Sequence, residues 1–192
     1  MSDVVLSGIF SYQQMTLEPI YSQTAIQTRV AELAASLDNR FLHSNPPHIL
    51  GVLKGGFVFV ADLIRAMSIP VTVDFIRVSS YGSHRQTSGS PQLLELPATE
   101  LKDRDVVIVD DIVDTGLTLN TITASLLARQ PHSLTTVTLL AKPSQHKVNV
   151  SIDLVGFKLG SEFVVGYGLD ANETYRNLPY LAIINTPQTE VR

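Results

Sequence analysis

The stretch that most constrains the fold of this chain is VVIVDDIVDTGLTLNT, at positions 106–121. Its first four residues are apolar and β-branched, as expected of a parallel strand that is covered on both faces. Three aspartates, Asp110, Asp111 and Asp114, follow within five positions, although neighbouring carboxylates repel one another. Because ligands of open α/β sheets bind beyond the carboxyl ends of strands, we expect these carboxylates to face a ligand.

The residues after the acidic cluster predict a phosphate site. Asp114, Thr115 and Gly116 turn the chain into a helix, whose N-terminus offers free N–H groups and a partial positive charge. Thr115 and Thr118 add hydroxyl donors, and Gly116 lets the backbone approach a ligand closely. A sugar phosphate carries both the phosphate and the hydroxyls that this pattern suits. The alternative, aspartates that cap a helix and face water, fits one such residue better than three.

Strands alternate with helices through the middle of the chain, which indicates βαβ units and a parallel sheet within one α/β domain. The patterns predict helices at 22–43, 57–67 and about 116–129, and strands at 48–53, 71–80, 92–96, 105–110, 133–141, 153–159, 162–167 and 180–184. Ser22 or Thr24 is a suitable cap for the first helix.

Composition excludes several classes of site and partner. The chain has no cysteine, which removes disulfides, thiolate metal sites and cysteine nucleophiles. A net charge of -4 without a basic stripe argues against nucleic acid as a partner. No apolar run reaches the ~20 residues of a membrane-spanning helix, and no signal peptide is recognisable. We therefore expect a soluble, cytoplasmic protein with no membrane partner.

The acidic stretch resembles the phosphoribosyl pyrophosphate motif of the type I phosphoribosyltransferases. Other stretches are similar to the hypoxanthine-guanine branch of that superfamily, namely GVLKGGFVFVADL (51–63), VTVDFIRVSSYG (71–82), LLAKP (139–143), DLVGFKL (153–159) and FVVGYGLDANETYRNLPYLAII (163–184). The resemblance implies an open, mostly parallel sheet flanked by helices in one domain, 1–192. It also implies a core at about 45–160 and a small hood subdomain from the N-terminal segment and about 161–192.

The resemblance further implies a purine salvage enzyme, a glycosyltransferase that transfers the 5-phosphoribosyl group from phosphoribosyl pyrophosphate to hypoxanthine and guanine. By the same resemblance, Asp110 and Asp111 accept the ribose hydroxyls, directly or through a metal. Asp114 is also the expected catalytic base at the imidazole-ring nitrogen of the purine. The expected 5-phosphate loop consists of Asp114, Thr115, Gly116, Leu117 and Thr118.

The LKGG stretch resembles a pyrophosphate-binding loop with a cis peptide bond, which would join Leu53 to Lys54 here. Lys54, Gly55 and Arg176 are the residues that the resemblance assigns to pyrophosphate. Taken alone, LKGG also suits an ordinary strand-to-helix turn with a solvated lysine.

The last third of the chain carries the expected purine site. By resemblance, Lys142 donates to the six-oxo group of the base, and a lysine, which offers only donors, disfavours an amino group there. Phe163 would stack on the purine, Val164 would present backbone groups to its edge, and Asp170 completes this end of the site. Singly, Phe163 also suits a core aromatic, Lys142 a surface cation and Asp170 a turn residue.

Magnesium is the implied cofactor, with Asp110, Asp111 and Asp170 as its expected ligands, since Mg²⁺ prefers oxygen donors shared with substrate phosphates. Ser80 and Tyr81, in the polar stretch SYGSHRQTSGS, are the expected lid over the reacting centre. A flexible hairpin tip is the alternative for that stretch.

Two other functions remain open at this point. One is a phosphoribosyltransferase for another base, such as xanthine, uracil or orotate. The other is a non-catalytic regulator that senses phosphoribosyl pyrophosphate and binds nucleic acid, although this acidic chain shows no basic surface for it. The resemblance also implies a homodimer or homotetramer.

Overall fold

The structure, a computed structural model, describes residues 16–79, 91–96 and 98–185. In these ranges the chain forms, in order, β1 (Thr16–Tyr21), α1 (Gln23–Phe41), β2 (His48–Leu53), α2 (Phe57–Ala66), β3 (Thr72–Ser79), β4 (Gln92–Glu95), β5 (Asp105–Val113), α3 (Leu117–Leu127), β6 (Ser133–Ala141), a 3-10 turn (Pro143–Gln145), β7 (Leu154–Lys158), β8 (Val164–Val165) and β9 (Leu181–Asn185).

Six of these strands form one sheet in the order β4-β3-β2-β5-β6-β7. All pairings are parallel except that of β4 with β3, which confirms the predicted open, mostly parallel sheet. From β2 the chain crosses over to β3 on one side, whereas from β5 it crosses to β6 on the other. Adjacent strands whose connections diverge leave a crevice at their carboxyl ends. The LKGG turn and the acidic stretch both lie there, because one follows β2 and the other ends β5.

The unbroken apolar run of β5 is explained by helices on both faces of the sheet. Val107 and Val109 pack in one core cluster with the buried faces of α1 and α2. Val106 and Ile108, which point the opposite way, pack in a second cluster with α3. Alternate residues of one strand thus enter two different cores, so no polar face is needed.

A second, three-stranded antiparallel sheet has the order β1-β9-β8. Its strands come from the N-terminal part of the described chain and from its last 22 residues, 164–185, the segments in which we expect the hood. The boundary between core and hood stays a prediction. β1 was missed by the sequence analysis because TLEPIY contains a proline, and its register with β9 shifts between Pro19 and Tyr21.

The first helix begins and ends close to its predicted bounds. Its N-cap is Ser22, whose side chain accepts a hydrogen bond from the backbone N–H of Ala25 at 3.2 Å. This satisfies one of the free donors at the helix start. The helix ends at Phe41, two residues before the predicted end at position 43.

Two of the predicted strands differ from the structure by more than one residue at an end, and each difference has a structural reason. β5 does not end at position 110 but continues to Val113, because Ile112 and Val113 pair with β6. The aspartates at 110 and 111 therefore lie within the strand. β8 is only two residues long, because Gly166 at φ 97° and Tyr167 at φ 49° turn the chain.

None of the helices in the described residues is long and apolar enough to cross a membrane.

Candidate active site

Two adjacent carboxyl groups at the end of β5 form the acidic centre of the crevice. Asp110 is 4% exposed, and its carboxylate accepts the backbone N–H of Asp111 at 3.0 Å. The Asp111 carboxylate accepts the N–H of Ile112, also at 3.0 Å. Burial raises the pKa of Asp110 well above its usual range, and the neighbouring charge of Asp111 raises it further. Burial also raises the pKa of Asp111. A ligand that supplies hydroxyl donors or a cation would stabilise the ionised pair.

The predicted phosphate loop surrounds a small cavity of about 80 Å³, room for roughly two or three water molecules by their share of liquid volume. Its lining consists of Asp110, Ile112, Val113, Asp114, Thr115, Gly116, Thr118 and Leu119. Gly116 has φ 79°, a left-handed conformation that favours glycine. As the N-cap of α3 it has no side chain to bond the first-turn N–H groups, which suits a ligand that accepts them. The N–H of Leu117 has only a long hydrogen bond, 3.5 Å, to the Thr115 hydroxyl. Leu117, the remaining predicted loop residue, does not line the cavity.

The backbone at Gly55 lies close to two other segments of the site, the end of β5 and the turn after β8. The peptide bond between Leu53 and Lys54 is cis, as predicted. A Cβ at position 55 would lie 1.5 Å from a carboxylate oxygen of Asp111. A Cβ at position 168 would lie 2.2 Å from the carbonyl oxygen of Gly55. Glycine at position 55 therefore lets the loop after β2 approach Asp111, and glycine at position 168 lets the turn after β8 approach that loop.

The residues predicted for the purine share a cleft of about 210 Å³ with the acidic cluster. Its lining is Asp111, Ile112, Asp114, Lys142, Phe163, Val164, Leu169 and Asp170. Residues from the ends of β5 and β6 and from the segment around β8 are thus brought to one place. Lys142, the residue that follows β6, therefore lies in the same cleft as Asp111 and Asp114.

Burial decides between the alternatives for two of these residues. Lys142 is only 6% exposed, which excludes a solvated surface cation, and its ammonium lies 3.5 Å from a carboxylate oxygen of Asp114. Phe163 is 56% exposed, which excludes a core aromatic. Its ring is thus accessible at the cleft, whereas Val164 is buried and pairs with Ile183.

An ionic network links Lys54 and Arg176, the two cations predicted to bind pyrophosphate. The Arg176 guanidinium contacts Asp170 at 2.7 Å and Glu173 at 3.3 Å, and it donates to the Gly168 carbonyl at 2.8 Å. Lys54 contacts the other carboxylate oxygen of Glu173 at 2.9 Å. The hydrogen bonds from Lys54 and then Arg176 lower the pKa of Glu173.

Glu173 is the polar residue that the sequence analysis missed. Its one sequence signal is its position in ANETY, between two residues already assigned to the site. Nothing in that local pattern indicates that it meets Lys54, which lies 119 positions away.

The oxygen donors of the crevice suit a magnesium ion that is shared with a substrate. Within the described ranges, no group of three or more His, Cys, Asp or Glu side chains is close enough to hold a metal ion by itself. Asp110 and Asp111 are adjacent, and Asp170 lines the same cleft as Asp111 but is paired with Arg176. Mg²⁺ usually takes one or two carboxylates together with substrate phosphates and water, so this donor set fits it. Asp110, Asp111 and Asp170 as joint ligands stay a prediction. The expected lid residues Ser80 and Tyr81 lie outside the described residues.

Comparison with known proteins agrees with this geometry. A family model described as "Phosphoribosyl transferase domain" matches residues 17–172. Hypoxanthine phosphoribosyltransferase of Salmonella typhimurium is 41% identical over 167 residues, which cover 86% of this chain and 94% of that protein. Hypoxanthine-guanine phosphoribosyltransferase of Bacillus subtilis is 42% identical over 165 residues, covering 86% and 91%. A crystal structure of a hypoxanthine-guanine phosphoribosyltransferase from Bacillus anthracis has a TM-score of 0.81 at 37% identity and covers 89% of this chain and 99% of that one.

Proposed function

The chain belongs to the phosphoribosyltransferase family, and we propose that it is a purine salvage enzyme. It transfers the 5-phosphoribosyl group from phosphoribosyl pyrophosphate to hypoxanthine, with guanine as a second acceptor. The products are IMP or GMP and pyrophosphate. The names of the relatives support this reaction over a non-catalytic regulator or transfer to uracil.

One observation carries the proposal: a single cleft is lined by the acidic cluster and by the residues expected to hold the purine. In a transfer between ribose and base, the two reacting groups must be adjacent. Asp111 and Asp114, which we assign to the sugar, line the same cleft as Lys142 and Phe163, which we assign to the base.

The ribose 5-phosphate is assigned to the end of β5 and the start of α3. Asp110 and Asp111 accept the ribose hydroxyls, which compensates the two buried charges. The loop of Asp114, Thr115, Gly116, Leu117 and Thr118 holds the 5-phosphate, largely through backbone N–H groups at the helix start.

The base end combines a donor with a proton acceptor. Lys142 donates to the six-oxo group, Phe163 stacks on the ring, and Val164 contributes backbone groups. As the bond from the ribose carbon to pyrophosphate breaks, that carbon becomes oxocarbenium-like, as in glycoside chemistry. The new bond forms to a purine ring nitrogen, whose proton passes to Asp114.

The leaving group is assigned to Lys54, Gly55 and Arg176. Asp110, Asp111 and Asp170 are the residues that would hold magnesium, which supplies charge neutralisation for pyrophosphate when bound. Ser80 and Tyr81 close over the centre and exclude water from the reactive carbon.

Transfer activity is tested by adding each base in turn to the protein with phosphoribosyl pyrophosphate and magnesium, and following absorbance. Hypoxanthine and guanine are expected to be consumed, whereas adenine is not, because Lys142 offers no acceptor to an amino group. Xanthine and uracil are the comparison bases. Consumption of uracil in place of the six-oxopurines, or of no base at all, would overturn the proposal.

We also infer a cytoplasmic location and a homodimer or homotetramer, which family membership implies. Sedimentation velocity measures the second of these directly, and a monomer at micromolar concentration would contradict it.

A further inference from the structure

Glu173 holds both cations that the proposed function assigns to pyrophosphate. One carboxylate oxygen lies 2.9 Å from the Lys54 ammonium, and the other lies 3.3 Å from the Arg176 guanidinium. The Glu173 carboxylate thus contacts both cations at once, as a bound anion with several charged oxygens would.

The turn around Glu173 directs its carboxylate to this position. The backbone N–H of Glu173 donates to the Asp170 carboxylate at 2.8 Å. Glu173 has φ 62°, a left-handed conformation that a glutamate rarely adopts. The turn between Ala171 and Thr174 is closed by backbone hydrogen bonds in both directions. These bonds fix the backbone at Glu173, and the exposed side chain reaches both cations from that fixed position.

The contact is weak enough to be displaced. The side chains of Lys54 and Glu173 are 59% and 66% exposed, and exposed ion pairs contribute little because water screens them. Arg176 keeps its contacts with Asp170 and the Gly168 carbonyl independently of Glu173. A ligand with several negative charges can therefore replace the Glu173 carboxylate without dismantling the site.

We propose that Glu173 is an affinity-setting residue, an internal counter-anion that occupies Lys54 and Arg176 until pyrophosphate displaces it. This rests on the proposed function, since it takes those cations to be the pyrophosphate site. Free pyrophosphate and the pyrophosphate group of the substrate carry more charge than the carboxylate and displace it. Inorganic phosphate must displace the same carboxylate, so Glu173 weakens its binding as well.

The test is Glu173→Gln, which removes the carboxylate charge and keeps the size and shape of the side chain. We expect the Kd for pyrophosphate with magnesium, measured by calorimetry, and the KM for phosphoribosyl pyrophosphate to fall about two- to fivefold, the factor that exposed ion pairs account for. Inhibition by inorganic phosphate should strengthen by a similar factor. The KM for hypoxanthine should not change. Glu173→Asp, which keeps the charge on a shorter side chain, should give a smaller effect.

The matched control is Glu32→Gln, which removes another exposed glutamate of an arginine pair, on α1, with the same change in net charge. It should leave all these constants at the wild-type values. A Kd and KM that rise or stay unchanged in Glu173→Gln would show that Glu173 merely supports the turn, and would overturn the inference. If the wild-type protein shows no transferase activity and binds no pyrophosphate, the proposed function itself fails, which is a separate result.

Discussion

At the carboxyl end of β5, the buried Asp110 and the partly buried Asp111 lie side by side, where the charged forms of their carboxyl groups are poorly solvated. Both have a raised pKa, chiefly because of burial. Because the ionised carboxylates are disfavoured without a ligand, the site suits a ligand that stabilises their ionised form. Asp110, which we propose binds the substrate, is thus expected to lower the stability of the free protein.

Asp110→Asn should therefore raise stability at pH 7 while it abolishes activity. The amide removes the buried charge and keeps an acceptor for the Asp111 N–H, so we expect a gain of about 1–2 kcal/mol and a rise in Tm of roughly 2–8 °C. Because the folded pKa is raised, the wild type loses stability relative to the variant as pH rises through that pKa. The difference should shrink as pH falls and close below the unfolded pKa of about 3.9.

Thermal melts of both proteins from pH 3 to 8 measure this difference. Asp103→Asn, at an exposed turn aspartate, is the control and should show no such dependence on pH. A variant of Asp110 that is less stable than the wild type at pH 7 would contradict the explanation.

Asp114→Asn tests the proton acceptor. We expect kcat to fall by about 10²–10⁴-fold, the usual contribution of general base catalysis, with KM values changed much less. Single-turnover measurements isolate the chemical step from product release. A near-normal single-turnover rate would remove Asp114 from this role and leave it only in the phosphate loop.

At the scale of the elements, one arginine, Arg29, links α1 to the edge strand β7. The Arg29 guanidinium donates to the carbonyls of Val155 at 2.7 Å and Gly156 at 2.9 Å. These two bonds tie the helix to the last strand of the six-stranded sheet. An edge strand has carbonyls without a strand partner, so a donor from a covering helix satisfies them.

Arg29→Ala should lower the free energy of unfolding by about 1–3 kcal/mol, since each hydrogen bond from a charged group contributes at that scale. Urea denaturation gives the value. Arg40→Ala, on the same helix, removes only an exposed pair with Asp153 and should cost at most about 1 kcal/mol. Equal losses in the two variants would show that the carbonyl bonds add nothing beyond surface charge.

In the whole molecule, the small sheet is joined to the large one near the site. The Tyr167 hydroxyl, in the turn after β8, donates to the Asp62 carboxylate of α2 at 2.6 Å. Burial, followed by the hydrogen bond to Asp62, raises the pKa of Tyr167. The same turn carries Gly168, which contacts the Gly55 loop, and it leads directly to Asp170. The position of the ionic network of Lys54, Asp170, Glu173 and Arg176 therefore depends on how the two sheets pack.

Tyr167→Phe should destabilise the protein by about 1–3 kcal/mol, because the Asp62 carboxylate loses its donor. It should also raise the KM for phosphoribosyl pyrophosphate, since the turn that leads to Asp170 and Arg176 is less firmly held. Melting curves and initial rates measure the two effects. Tyr180→Phe is the control, since the structure shows no side-chain hydrogen bond for Tyr180 among the described residues, and it should behave as the wild type. Loss of stability without a change in KM would confine Tyr167 to a structural role.

The elements that local patterns encode were predictable. β2 and β6 have their predicted bounds, because each is an apolar run between clear turn residues. Strand ends were less predictable where pairing with another strand sets them. β5 extends through its aspartates because β6 continues beside it, and β1 exists because β9 offers an edge to pair with.

The sequence by itself determined the order of strands and helices after β1, the acidic stretch at a strand end, and the family, because periodicity and motif spacing are local properties. Only the tertiary structure decided that Lys142 is buried beside Asp114, that Phe163 is exposed at the cleft, and that Glu173 bridges Lys54 and Arg176. These contacts join residues far apart in the chain. Burial and charge pairing arise from how the sheets and helices pack, and local sequence patterns carry no information about that packing.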